Sequence, residues 1–299
     1  MTGPSHKRLV WLALVATPVL FAFIVGLQLR IDAASRTVAQ EKDELLFTAP
    51  QLKKLSLGYD SLLGDIYWTR VVQYYGQRVR KPGAIFDLLW PLLDAATSLD
   101  PKLLVAYRFG AIFLSEPPPR GPGRPDLAVD LVQRGIAANP DEWHLYADLG
   151  FIYYMRMNDY QKAADAFLQG SKNPKSYVWM KVMAARIAQT GKALETSRMV
   201  WDEVYSTTTD DLIRRNAKKH LQALDAQIGL KHLNDSAEDY WRKFGRYPAT
   251  IQELRDAGFV GGSLKDPAGY PYVMGPDGVP GLDPQSPVDL DPDHPKPNP

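Results

Sequence analysis

The stretch Leu149–Pro174, LGFIYYMRMNDYQKAADAFLQGSKNP, decides the fold that we predict for this chain. Its first half places a small residue, Gly150, three positions before an aromatic one, Tyr153. A small residue lets a helix approach its neighbour closely, and the aromatic side chain fills the space one turn further along. The proline at the end forbids further helix. The stretch therefore predicts a helix, a turn and a second helix packed against the first.

The same pattern returns along the chain. Two earlier copies of the first-helix motif are Leu63-Gly64-x-x-Tyr67 and Phe109-Gly110-x-x-Phe113, and a weaker later one is Met183-Ala184-x-x-Ile187. The second-helix series occurs twice, as Ala128, Val132, Gly135, Pro140 and as Ala163, Phe167, Gly170, Pro174. The two series are 35 residues apart, or 34 at the proline. A fixed period of this size is typical of stacked helical hairpins, which bind proteins more often than they catalyse reactions.

Leu149–Pro174 resembles a tetratricopeptide repeat with one residue inserted before Asn158, and the resemblance extends more loosely over residues 54–206. It implies an α-solenoid of about four hairpins, whose inner helices line a groove that binds a protein or peptide partner. Carried over to this chain, the groove positions are Asp65, Trp68, Thr69, Gln73, Tyr107, Leu114, His144, Tyr154, Lys181 and Gln189.

One polar stripe supports the groove prediction. Asp65, Thr69 and Gln73 are spaced four residues apart, so they share one face of a helix beside Trp68. Directional hydrogen bonds next to an aromatic anchor are typical of interface hot spots. Two alternatives stay open: the stripe faces only water, or a membrane-proximal helix covers it.

Composition excludes several classes of function. The formal net charge is +1 and the basic residues form no block, so we expect no nucleic-acid partner. The chain has no cysteine, which excludes disulfides, zinc–thiolate sites and thiol catalysis. The five histidines are scattered, and neither a nucleophile–base arrangement nor a phosphate-binding loop stands out. We therefore predict no enzymatic activity, no catalytic residue, no metal and no cofactor.

Residues 9–29, LVWLALVATPVLFAFIVGLQL, carry no charge. A helix of that length reaches roughly 32 Å, enough to span a hydrocarbon core of about 30 Å. We predict a single-pass anchor in the lipid bilayer from Leu9 to Leu29; a signal peptide cleaved near Ala33-Ala34-Ser35 is the alternative. A short tail before one anchor usually stays in the cytoplasm. We therefore expect the C-terminal domain to lie outside the cytoplasm, although the flanking charges nearly balance; in a Gram-negative bacterium this is an inner (cytoplasmic) membrane protein with a periplasmic C-terminal domain.

Residues 236–280 differ in character from the repeats. A turn at Gly245-x-Tyr247-Pro248 precedes a short helix, for which Thr250 and Glu253 form a capping box. Asp266-Pro267-x-Gly269-x-Pro271-Tyr272 then leads into a hairpin with the turn Pro276-Asp277-Gly278. This order resembles the C-terminal part of type II secretion pseudopilins, which implies a small α+β module. The resemblance also suggests calcium near Asp266 and Asp277, against the alternative that both only form turns.

We predict a mainly α protein with these parts: tail and anchor 1–35, linker 36–53, tetratricopeptide-like repeats 54–208, capping helix 209–235, pseudopilin-like module 236–280 and a disordered Pro/Asp-rich tail 281–299. The predicted function is a membrane-anchored scaffold or adaptor for a protein or peptide partner in the cell envelope, in secretion, pilus assembly or surface export. The alternative is a structural subunit of a membrane-associated filament or complex, assembled through the module. The partner and the oligomeric state stay open.

Overall fold

The protein is mainly helical in a computed structural model that describes residues 16–30, 49–81 and 83–294. The first described helix, α1, covers residues 16–30, and its side chains are exposed. Residues 9–15 of the predicted anchor lie outside the described residues. Within the described part of the chain, no helix is both long and apolar enough to cross a membrane.

Nine helices follow one another from residue 49 to residue 207. In chain order, α2 to α10 are Ala49–Leu55, Asp60–Arg78, Leu89–Leu99, Leu104–Ser115, Pro125–Ala138, Trp143–Ile152, Tyr160–Ser171, Trp179–Thr190 and Leu194–Thr207. The predicted linker 36–53 needs correction at its end, because α2 packs on α4 and buries Leu52. The backbone turns between α2 and α3 at Leu57 and Gly58, which both have positive φ.

Consecutive helices pack in pairs. The helices α3, α5, α7 and α9 each pack against the helix that follows, and each pair also contacts the next pair. Small residues make the closest approaches, since a Cβ atom at Gly110 would lie 2.5 Å from a methyl of Leu93. The large buried side chains of these pairs, including Leu92, Leu131 and Phe167, form the core between them.

A π-helical turn, Tyr153–Met157, extends α7 at the point where the comparison with the tetratricopeptide pattern predicts one inserted residue. A π-helical turn accommodates one more residue than an α-helical turn without breaking the helix. Asn158 then takes the left-handed conformation (φ 53°), and Asp159 caps α8 by accepting a hydrogen bond from the Lys162 backbone N–H. The extra residue therefore leaves the pairing of α7 with α8 intact.

The helix α11, Asp211–Phe244, is longer than predicted. Asp210 caps its first turn, and Gly245 ends it in the left-handed conformation. Its first part packs on α10, and its last turns pack on the C-terminal module through Ala237 and Tyr240. A boundary between residues 235 and 236 therefore falls inside one continuous helix, because the apolar stripe that covers α10 continues into the module.

The C-terminal module contains one short helix and one hairpin. In α12, Ile251–Asp256, the Thr250 hydroxyl accepts a hydrogen bond from the Glu253 N–H, as the capping pattern predicts. The strands β1, Val273–Met274, and β2, Pro280–Gly281, pair antiparallel with Val273 opposite Gly281. Their turn is the predicted Pro276-Asp277-Gly278, closed by the Gly278 N–H donating to the Gly275 carbonyl.

The prediction of a disordered tail needs correction for residues 281–294. Leu282 packs against the apolar cluster of Leu233, Ile251 and Tyr272, and the side chain of Ser286 bonds to Asp266. Further along, Asp293 forms an ion pair with Arg186 of α9. Proline and aspartate cannot build a core of their own, but they can lie on a surface that other elements supply. Residues 295–299 lie outside the described residues.

Candidate protein-binding face

The odd-numbered helices α3, α5, α7 and α9 lie side by side. Trp68 of α3 stacks on Phe113 of α5, with ring centroids 6.2 Å apart. Arg108 of α5 forms an ion pair of 2.7 Å with Asp148 of α7. Phe151 of α7 stacks on Trp179 of α9 at 6.3 Å. We call the exposed surface of this row the odd-helix face and define it by Asp65, Thr69, Phe109, Ile112, Phe151 and Met155.

Two large apolar side chains stand on α5 in the middle of this face. Tyr107, Gly110 and Leu114 are buried toward α4 and α6, so the opposite side of the helix points outward. Phe109 and Ile112 lie on that opposite side and are 50% and 51% exposed. In water such side chains gain nothing from exposure, and their burial by a partner would be favourable. Neighbouring α7 and its π-helical turn add Phe151 and the exposed Met155.

The predicted polar stripe on α3 lies on the same face. Asp65, Thr69 and Gln73 are exposed, on the side of α3 opposite the buried Gly64 and Val71. The Thr69 hydroxyl donates to the Asp65 backbone carbonyl at 2.9 Å, and the Asp65 side chain is exposed. The stripe thus supplies hydrogen-bonding groups beside the apolar pair on α5.

Four of the predicted groove residues lie elsewhere or are engaged in packing. Trp68 is half-buried in its stack on Phe113. Tyr107 and Leu114 are buried, and a Cβ at Gly135 would lie 2.8 Å from the Tyr107 ring. Lys181 is engaged in an ion pair with Glu203 of α10. The resemblance places these positions incorrectly because a shift of one or two residues along a helix rotates a side chain by 100° or 200°.

His144 is on the face but is held by its own helix. Its ring stacks on Trp143 with centroids 3.6 Å apart, and Nδ1 lies against Glu142, the N-cap residue of α7. Burial would raise the pKa of Glu142, but hydrogen bonds from the side chain and backbone of His144 outweigh it and lower that pKa. His144 therefore serves first to stabilise the start of α7.

Arg108 and Asp148 form a charged contact beside Phe109. Burial raises the pKa of Asp148, and the hydrogen bond and charge of Arg108 oppose that shift. The carboxylate is largely covered, whereas the Arg108 side chain is 40% exposed. The guanidinium thus keeps donors free toward solvent while it holds α5 and α7 together. It provides a polar edge to the apolar pair.

Two predicted residues, Tyr154 and Gln189, come together in a cleft of about 520 Å³ at the α9–α11 end of the face. The side-chain amide of Gln189 donates a hydrogen bond to the side-chain oxygen, Oε1, of Gln227 in α11 at 3.4 Å. The side-chain amide of Gln227 in turn donates to the backbone carbonyl of Leu290 at 2.6 Å. The chain's own C-terminal segment thus forms one wall of the cleft. We name this the tail cleft.

The aspartates that suggested calcium form turns. Asp266 Oδ1 accepts hydrogen bonds from the backbone N–H groups of Ala268 and Tyr270, both at 2.9 Å. Asp277 Oδ1 accepts from the Val279 N–H at 3.2 Å. Across residues 16–30, 49–81 and 83–294, no group of three or more His, Asp or Glu side chains is arranged to hold a metal ion.

Sequence reasoning missed Phe109, Ile112, Arg186 and Gln227. Phe109 is the first position of the Phe109-Gly110-x-x-Phe113 motif, whose packing argument concerns only Gly110 and Phe113, and in α5 the buried side passes through Tyr107 and Gly110. A helical-wheel comparison of residues 104–115 contains the signal, since Ala106, Gly110 and Ala111 mark the closely packed side. No local pattern marks Arg186 and Gln227, because their contacts are to a segment more than 60 residues away.

No protein-family model, curated protein or solved structure matches this chain.

Proposed function

We propose that this chain is a membrane-anchored scaffold or adaptor of the tetratricopeptide-repeat type. It holds a protein or peptide partner on the odd-helix face, within a bacterial cell-envelope assembly for secretion, pilus formation or surface export. The observation that carries the proposal is the exposed pair Phe109 and Ile112 at the middle of a row of side-by-side helices. The row of paired helices and the close contacts of Gly64, Gly110 and Gly150 with neighbouring helices support the repeat assignment.

The arrangement of the face supports a protein partner over a small molecule. The apolar pair has the Arg108–Asp148 ion pair on one side and the polar stripe of α3 on the other. An apolar centre with a polar rim is the usual anatomy of a protein interface. A helix or extended segment laid across the row would bury Phe109 and Ile112 and find hydrogen-bonding groups at Asp65 and Thr69.

The anchor supplies the second part of the mechanism. Leu9–Leu29 confines the helical repeats to the membrane surface, with the C-terminal part outside the cytoplasm. Confinement raises the effective concentration of the adaptor near other membrane proteins without any new contact. Modest affinity at the odd-helix face is then sufficient for a stable assembly.

Affinity capture from membranes tests the proposal. The full chain is compared with a Phe109→Ser, Ile112→Ser double variant and with Met199→Ser, which removes a still more exposed apolar side chain (69%) from α10. We expect one envelope protein to be lost with the double variant and kept with Met199→Ser. Circular dichroism verifies that both variants fold. Identical sets of captured proteins from all three chains would reject the odd-helix face as the binding surface.

One observation favours the second candidate, a structural subunit that assembles through the C-terminal module. Trp241, Phe244 and Tyr247 are 48%, 50% and 45% exposed at the end of α11. Trp241 stacks on Tyr247, so the aromatic surface is continuous there. If the module is the assembly surface, Trp241→Ala with Phe244→Ala reduces the size of the complex solubilised from membranes, whereas the α5 double variant leaves that size unchanged.

A further inference from the structure

The C-terminal segment lies in the tail cleft through contacts that are distant in sequence. Arg186 Nε of α9 is 2.9 Å from Asp293 Oδ2, across 107 residues of chain. The Gln227 side-chain amide of α11 donates a hydrogen bond to the backbone carbonyl of Leu290. Any extended peptide offers backbone carbonyls as acceptors of this kind. One side-chain carboxylate and one backbone carbonyl of the segment are thus recognised separately. This is how grooves generally bind extended peptides.

A buried histidine lies behind the Asp293 carboxylate. The His220 ring is 1% exposed and stacks on the Trp201 indole at 4.1 Å, with planes 8° apart. Its Nε2 lies 3.5 Å from Asp293 Oδ1, and among the described residues neither ring nitrogen has a hydrogen-bond partner of good geometry. A buried polar group without a partner is costly, so the position favours an acceptor that approaches more closely than Asp293 does.

The contacts of the segment are few and partly solvated. The Arg186 and Asp293 side chains are 44% and 26% exposed, and ion pairs of this kind contribute little on their own. The segment therefore remains in the cleft mainly because it is tethered, which gives it a high effective concentration. A partner segment with a closer acceptor for His220 can replace it.

We propose that the tail cleft is a binding site for an acidic, extended peptide segment of a partner, and that Asp289–His294 occupies it as an internal ligand until that partner displaces it. Arg186 and His220 contact the carboxylate of the segment, and Gln227 donates a hydrogen bond to the backbone carbonyl three residues before that carboxylate. The inference deepens the proposed function, on which it rests for the existence of a partner, by assigning charge and conformation to one part of that partner.

A peptide supplied in trans tests the inference. The probe is a fluorescein-labelled synthetic peptide with the sequence of residues 284–294, PQSPVDLDPDH, and its anisotropy is followed with the full chain in detergent. In the wild-type chain the internal segment competes, so binding is weak. We expect Asp293→Ala in the protein to release the cleft and tighten binding of the unaltered peptide by about two- to fivefold, the factor that a partly exposed ion pair contributes. Adding Arg186→Gln to that variant then removes the gain.

The controls separate the cleft from general charge. Asp283→Ala removes a carboxylate from the same segment at a point away from the cleft and leaves peptide affinity as in the wild type. Equal affinity for wild type and Asp293→Ala, no measurable binding to either, or a gain that survives Arg186→Gln each overturns the inference. None of these results depends on Phe109 or Ile112, so the inference and the proposed function can fail separately.

Discussion

Gly150 of α7 and Phe167 of α8 are in direct contact: a Cβ atom at Gly150 would lie 2.6 Å from two carbons of the Phe167 ring. The ring is completely buried and is fixed by Phe151 and Trp179, which pack against it edge-on. The Phe167 ring therefore cannot make room for a Cβ atom at Gly150 without displacing one of these neighbouring rings. The pair joins the two helices of the hairpin from which the fold was predicted.

Gly150→Ala should destabilise the protein despite the higher helix propensity of alanine. We expect the free energy of unfolding to fall by about 1–3 kcal/mol, because overpacking a filled core forces rings or backbone to shift. Gly76→Ala is the matched control in α3, since its Cβ would meet nothing within 4 Å, and it should raise stability by about 0.5–1 kcal/mol. Urea unfolding followed by circular dichroism measures both. A stabilising Gly150→Ala would contradict the close approach of α7 and α8.

Trp201 should be a main contributor to the packing of α10 on α11. Its side chain is completely buried and covers the His220 ring. Trp201→Ala should lower the free energy of unfolding by about 3–5 kcal/mol, which combines lost burial with a cavity. Trp241→Ala removes the same side chain from a half-exposed position and should cost less than about 1 kcal/mol. Equal losses for the two variants in the same unfolding experiment would show that Trp201 is not part of a close-packed core.

The stability of the module should depend on the ionisation of Glu253. Hydrogen bonds from Arg246, then from Tyr240 and the Ala249 backbone, lower the pKa of Glu253 from its usual 4.5 to about 2. Because the folded-state pKa is the lower one, the ionised carboxylate stabilises the fold fully above the unfolded pKa, and this contribution is lost as the pH falls toward the folded pKa. The relevant range therefore runs from about pH 4.5 down to about pH 2.

Thermal unfolding of wild type and Glu253→Gln between about pH 6 and about pH 2 measures this dependence. We expect the wild type to have the higher Tm at the upper end, and the difference to shrink steadily toward the lower end. Glu195→Gln, in the exposed first turn of α10, is the charge-matched control. A difference that stays constant with pH would mean that the contacts of Glu253 do not depend on its charge.

Local patterns predicted the parts of the fold that local chemistry determines. The close helix pairs follow from small residues such as Gly150, and the cap of α12 follows from Thr250 with Glu253. The hairpin turn follows from the special backbone freedom of Gly278, which has φ 78°. In each case the residues that specify the element are within a few positions of one another or repeat with a fixed period.

Rotation about a helix axis and contacts across long separations could not be predicted in this way. Tyr107 and Phe109 are both aromatic and two residues apart, yet one is buried and the other half-exposed, because α4 and α6 approach only one side of α5. The contact between Arg186 and Asp293 has no signature in either segment alone, since an acidic proline-rich sequence has the composition of a disordered tail. The surface that orders it belongs to α9 and α11.

Site-specific photo-crosslinking in intact cells tests the central claim most directly. A photoreactive residue replaces Phe109 on the odd-helix face in one chain and Met199 on α10 in another, and both chains keep residues 9–29. The account predicts one defined adduct with an envelope protein from position 109 and none from position 199. The absence of any adduct at position 109, or the same adducts at both positions, would contradict the claim that the odd-helix face binds a partner.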